Sequence, residues 1–226
     1  MLVVVAAHEE ADRIGATLAA LREAFPHASL WVADDGSRDR TSAIARAAGA
    51  KALSTGARQG KGGAMTLAVG EALSSELSSE RSGDPVVLLC DGDLGASAAR
   101  LRPLVQAVQR GDADLAVACF ASRAGGGFGI LVGFARWAID HLCGRRAKAP
   151  LCGQRAFRAS EAPRLLPFAP GYGMELGMTV DAVRAGMRVQ EIELDLAHRV
   201  TTRTPAGFAH RGRQLLDCLR VYAARR

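Results

Sequence analysis

Aromatic residues are scarce in this chain, 5% of 226, with two tryptophans and two tyrosines among them. No basic tract carries the interleaved rings on which single-stranded nucleic acid stacks, so nucleic acid is not an expected partner. The five cysteines, Cys90, Cys119, Cys143, Cys152 and Cys218, are an odd number with no C-x-x-C pairing. That speaks against a disulfide framework and a cysteine zinc cluster, and for reduced core thiols in a cytoplasmic protein. Long apolar runs are missing as well. The stretch "GGGFGILVGFARWAIDHLCG" holds Arg136 and Asp140 and is too short to cross a bilayer. Met1 leads into "LVVVAAHEE" without the basic start or cleavage site of a secretory leader.

What is present fits one globular domain, residues 1–226, with 49% hydrophobic and 23% charged residues and no linker or internal repeat. A net charge of +6 and a pI near 9.5 suit an anionic partner such as a nucleotide diphosphate or a lipid headgroup. Short apolar and β-branched runs alternate with segments of helical period, the pattern of an α/β domain with a mostly parallel sheet flanked by helices. Strands are expected at 2–6, 29–33, "KALS", 86–90, "DLAVACF" and "VQEIEL", and an extended segment at "LCGQRAFR". Helices are expected near 12–25, where Ile14, Leu18, Leu21 and Phe25 share a face, then from about 37–41 to Gly49, over "GGAMTLAVGEALSSEL", and near 97–109, 174–185 and 208–224.

Ligands of open α/β sheets bind outside the carboxyl ends of the strands. Four polar clusters fall there: "AHEEADR", "DDGSRDRT", "STGARQGKGG" and "CDGDLGAS". The first has no G-x-G-x-x-G, which excludes a Rossmann dehydrogenase. "GARQGKGG" resembles a Walker A loop, but three residues separate Gly56 from Gly60, and Gly62 stands where a Ser or Thr should bind magnesium. Asp91 and Asp93, one glycine apart at the end of a wholly apolar strand, repel each other unless a cation sits between them. A divalent ion that also binds phosphate oxygens is the natural compensation. D-x-D is common by chance in solvated turns, and its position after the strand gives it weight.

Taken in order, "AAHEEADR", "DDGSRDRT", "GKGGAM" and "LLCDGDLG" resemble the donor half, about 1–120, of a family 2 type glycosyltransferase with the GT-A fold. "APLCGQRAFR", "FAPGYGMELGMTVDAVRAG" and "LAHR" are similar to the acceptor half, about 121–226, nearest to the glucosyl-3-phosphoglycerate synthase and dolichyl-phosphate sugar synthase branches. The resemblance implies transfer from a nucleotide sugar, UDP-linked, with Mg²⁺ or Mn²⁺ as cofactor. It implies that Ala7 and Glu9 in the first loop, and Asp34, Asp35 and Gly36 in the second, contact ribose and base. Arg58 and Lys61 would neutralise the diphosphate, and Asp91 or Asp93, around Gly92, would hold the metal with His198. Glu175 would bond sugar hydroxyls, or serve as base in an inverting reaction, and Gln154 and Arg155 would lie where donor and acceptor sugars meet.

Phosphoglycerate as acceptor is not favoured, because Phe128 and Val200 stand where that branch has an arginine and a polar contact. The acceptor is expected to be lipid-linked or phosphorylated. "FGILVGFARWAIDHL" and the basic segment "FAHRGRQLLDCLRVYAARR" allow peripheral contact at the inner face of a membrane, although an apolar stripe usually packs in a core. A homodimer is compatible with the sequence. The competing readings are a sugar-phosphate nucleotidyltransferase and a non-catalytic nucleotide-sugar-binding relative.

Overall fold

A computed structural model describes residues 1–77, 83–120, 129–196 and 205–226, without the side chains of 77, 120 and 205–211. Seven strands form one sheet: β1 (Leu2–Ala7), β2 (Ser29–Asp34), β3 (Lys51–Ser54), β4 (Val86–Asp91), β5 (Leu115–Phe120), β6 (Arg155–Arg158) and β7 (Val189–Leu194), in the order β3-β2-β1-β4-β6-β5-β7. The first four run parallel, so their carboxyl ends share one edge. Leu2 to Val5 and Val87 to Leu89 have no exposed surface, as befits central strands covered on both faces.

β6 runs antiparallel to both β4 and β5, with Leu89 paired to Arg155. The extended segment expected at "LCGQRAFR" therefore narrows to four residues, and its start lies beside the end of β4. Without that reversal, Gln154 and Asp91 would stand at opposite edges of the sheet.

The helices are α1 (Ile14–Ala24), α2 (Thr41–Ala47), α3 (Lys61–Leu77), α4 (Arg102–Gln109), α5 (Ile130–Cys143), α6 (Ala162–Leu165), α7 (Met174–Arg184) and α8 (Pro205–Arg225). The helix expected over 97–109 divides into a 3₁₀ segment, Gly95–Leu101, and α4. Pro103 explains the break, since a proline without an N–H is accommodated in the first turn of an α-helix and not in its interior. The main core lies on the sheet, while Ala138, Ile139, Leu176, Val180, Cys218 and Val221 make a second core joining α5, α7 and α8. No described helix is long and apolar enough to cross a membrane.

Candidate active site

Asp91 is the last residue of β4. Beyond it the chain is tied down by its backbone: Gly92 N–H donates to the Ala6 carbonyl at 2.8 Å, and Thr17, wholly buried on α1, donates to the Gly92 carbonyl at 2.8 Å and accepts from Gly95 N–H at 2.9 Å. The two carboxylates of the D-x-D thus meet different neighbours. Asp91 receives Lys61 Nζ at 2.5 Å on Oδ1 and Gln154 Nε2 at 2.7 Å on Oδ2. Asp93 lines an open cleft of about 510 Å³ together with Asp12, Arg13, Ser97, Arg100 and Asp195. Its carbonyl accepts from Arg13 at 3.4 Å, and an Arg100–Asp195 ion pair closes the far wall.

Lys61 opens α3 and Glu175 stands in the first turn of α7, where the positive end of the helix favours a carboxylate. Their charged atoms are 2.6 Å apart. Burial acting by itself would push the Lys61 ammonium down, but Asp91 and Glu175 beside it more than offset this and hold it well above the ordinary lysine range. One positive charge is thus shared by two carboxylates, Asp91 and Glu175. A built Cβ on Gly153 would meet both Asp91 carboxylate oxygens, at 2.7 and 2.8 Å, and also Lys61 Nζ, so only glycine allows this close approach.

Behind the trio, Gln154 takes a hydrogen bond on Oε1 from Cys152 Sγ at 2.9 Å, and burial pushes that thiol up to about 12. Arg155, expected where donor and acceptor sugars meet, has no exposed surface in the structure. Its guanidinium donates to the Cys152 carbonyl and to Thr179 Oγ1, both at 2.9 Å, and Thr179 donates to the Glu175 carbonyl. Side chains alternate along extended backbone, so when Gln154 points to Asp91 the next residue points to the opposite face. Arg155 braces the segment carrying Gln154 against the helix carrying Glu175.

The second and third loops form one unit. Asp35, 5% exposed, accepts from the N–H groups of Gln59 at 2.6 Å and Gly60 at 3.0 Å, with Arg58 Nε 3.8 Å away. Asp35 N–H donates to the Ala7 carbonyl at 3.0 Å, and Gly36, at φ +69°, passes so close to Ala57 that a Cβ would meet its carbonyl carbon at 3.0 Å. Arg58 donates to the Tyr172 hydroxyl at 3.3 Å. Asp34 is 1% exposed and its oxygens accept from Ser37 N–H and Ser42 Oγ, which shapes the turn from inside. Glu9 adopts φ +56° and accepts from Arg38 N–H at 2.7 Å, an uncommon conformation for a residue with a Cβ.

The expected metal ligands divide as well. Asp91 accepts from Lys61 and Gln154, while Asp93 lines the cleft together with Asp12 and Asp195. His198, like Phe128, Val200 and the glycines 125–127, lies outside the described residues. Among the described residues no three His, Cys, Asp or Glu side chains gather closely enough to hold a metal by themselves.

A family model described as glycosyl transferase family 2 matches residues 2–140. The chain belongs to this family. It is a glycosyltransferase with a GT-A sheet, which decides against the nucleotidyltransferase. Similar solved structures include glucosyl-3-phosphoglycerate synthase from Mycobacterium tuberculosis in complex with Mg²⁺ and uridine diphosphate, 26% identical, with a TM-score of 0.78, covering 99% of this chain and 78% of that one. The same enzyme in complex with Mn²⁺, UDP-glucose and glycerol 3-phosphate is 25% identical, with a TM-score of 0.76 and 99% and 79% covered. Its complex with phosphoglyceric acid is 26% identical, with a TM-score of 0.77 and 99% and 78% covered. No curated protein matches the chain.

Several residues of the transferase's site escaped sequence reasoning. Thr17 left a readable trace, a lone hydroxyl on the apolar face between Ile14 and Leu18. Gly153, Cys152 and Thr179 left none, because their partners come from distant segments.

Proposed function

We propose that the protein transfers a sugar from a UDP-sugar to a phosphate-bearing acceptor, free or lipid-linked, with the help of Mg²⁺ or Mn²⁺. The observation that carries this reading is the Lys61–Asp91–Glu175–Gln154 cluster, built at the carboxyl edge of the parallel strands beside a cleft lined by Asp93. The similar structures contain UDP or UDP-glucose, Mg²⁺ or Mn²⁺, and phosphorylated glycerol or glycerate derivatives. The carboxylates that line the cleft fit a hard divalent cation. Asp93 would hold the ion, with His198 as a further donor. When bound, it supplies positive charge against the departing diphosphate.

The remaining work falls to the chain. Lys61 keeps Asp91 and Glu175 apart and fixed, so that each can accept from a sugar hydroxyl with its geometry set in advance. With Oε1 bonded to Lys61, Glu175 serves to orient the sugar. Gln154, anchored through Oε1 to Cys152 and through Nε2 to Asp91, holds the wall on the acceptor side. Asp35 keeps the Arg58–Gly60 turn in place with its carboxylate on two backbone N–H groups, which sets Arg58 toward the crevice.

The test is release of nucleoside diphosphate from a panel of UDP- and GDP-sugars with Mg²⁺ or Mn²⁺, by the protein and its Asp93→Ala and His198→Ala variants. Turnover of UDP-linked donors that needs metal and is lost in both variants is expected. Turnover that is indifferent to chelation, or prefers GDP-linked donors, overturns the corresponding part of the reading.

A further inference from the structure

Five large apolar side chains are markedly exposed among the described residues, and four lie on two helices that pack together: Ile130 (67%) and Trp137 (49%) on α5, Leu216 (54%) and Leu219 (41%) on α8. Both helices are firmly anchored by their other sides. Cys218 and Val221 of α8 are buried in the second core, Arg225 is paired with Asp181 of α7 at 2.6 Å, and Asp217 accepts from Tyr172 N–H at 3.1 Å. The exposed stripe is therefore not an undocked core face. Along α8 it runs Arg213, Leu216, Leu219 and Arg220, and Arg226 follows just past the helix end. On α5 the Trp137 ring stacks on His141 at 5.3 Å and tilts against Tyr222 at 5.1 Å, so α5 and α8 present one continuous aromatic and aliphatic surface.

We infer that this α5–α8 face docks on an anionic lipid bilayer. Its chemistry selects that occupant. A second copy related by a two-fold axis would set this arginine-rich patch against itself. The acids that could answer its arginines are few: on these helices only Asp140 and Asp217 occur, and Asp217 is already held by Arg220 and Tyr172, so Arg213 and Arg226 carry the net positive charge of the stripe. A bilayer with anionic headgroups takes both components at once, arginines at the phosphates and leucine, isoleucine and tryptophan at the acyl boundary. Trp137, apolar in body and half exposed beside a histidine, suits the headgroup level. The net charge of +6 draws the molecule to such a surface.

The experiment is sedimentation of the full chain with vesicles of phosphatidylcholine, or of phosphatidylcholine mixed with phosphatidylglycerol, at low and high salt. Tryptophan emission is followed alongside; Trp31 is buried, so a blue shift reports Trp137. Neither readout needs donor or acceptor, so its outcome is independent of the transferase assay. Binding to the anionic vesicles only, weakened by salt, is expected. Arg213→Gln with Arg220→Gln should weaken partitioning about thirtyfold, and Leu216→Ser with Leu219→Ser should abolish the emission shift. All four positions are exposed, and unfolding curves check that the variants fold. Equal binding to neutral vesicles, binding that survives both double variants, or no binding at all overturns the inference. So does a dimer in light scattering that the leucine variant dissociates, which would assign the face to a second copy.

Discussion

The amide of Gln154 lies 2.7 Å from Oδ2 of Asp91, Nε2 donating, at the point where an antiparallel strand begins beside the end of a parallel one. Through Asp91 this contact joins the residue from the second half of the chain to Lys61, and through Lys61 to Glu175. The site is therefore a chain of charge-assisted contacts, each of which fixes the next.

Removing the central cation should be costly. Lys61→Met leaves Asp91 and Glu175 facing each other, mostly buried, and is expected to lower stability by about 3 kcal/mol and to abolish turnover. Lys61→Met combined with Glu175→Gln should recover most of the stability and none of the turnover. Urea unfolding and donor hydrolysis measured on Lys61→Met, Glu175→Gln and the double variant check both; additive losses of stability would show that the pair is not coupled.

Gly153→Ala separates the site from the fold. The three atoms nearest the added methyl are the far ends of Lys61 and Asp91, whose displacement loosens the ion pair and leaves the strand in place, so the melting temperature should fall less than in Lys61→Met. Their displacement should cut turnover about a hundredfold. A variant that turns over normally would mean that the cluster does not need its observed geometry.

Thr17→Val keeps the shape of the side chain and removes both hydrogen bonds that hold Gly92 and Gly95. A loss of about 2 kcal/mol is expected, together with weaker dependence of thermal stability on added Mn²⁺ and UDP, since the loop presenting Asp93 loosens. Denaturation with and without these ligands measures both.

Alkali should destabilise the protein. Burial pushes the Cys152 and Cys218 thiols up to about 12 from an ordinary 9.0, and the two carboxylates hold Lys61 above its usual range. Each folded-state value lies above the unfolded one, so the folded protein retains protons that the unfolded chain releases. The stabilisation is complete below about pH 9 and declines as pH rises toward the folded values, by about 1.4 kcal/mol per pH unit for each thiol. Cys152→Ala should remove one thiol's share of that slope. A stability that is flat between about pH 9 and 11 would contradict the burial of these groups.

Much of the fold was legible in local pattern. Three of the four parallel strands, β1, β2 and β4, announce themselves by apolar runs containing β-branched residues, and "VQEIEL" and the helix from 174 fall where the structure has β7 and α7. The break before α4 was less legible, because a proline within apolar helical spacing marks either a first turn or a kink, and only packing selects between them.

The sequence by itself determined where charged loops interrupt the sheet, because an apolar strand that ends at "CDGDLG" must bring its carboxylates to the strand's carboxyl edge. It could not determine which way each carboxylate turns. Asp34 and Asp35 are adjacent in the chain, and the structure sends one into a turn and the other onto the backbone of the next loop. Gln154 and Arg155 are adjacent too and both buried, and the structure pairs one with Asp91 and the other with the Cys152 carbonyl and Thr179. Residue type and spacing are local properties, whereas the partner of a buried charge is set by whichever distant segment packs against it. Only the tertiary structure supplies that partner.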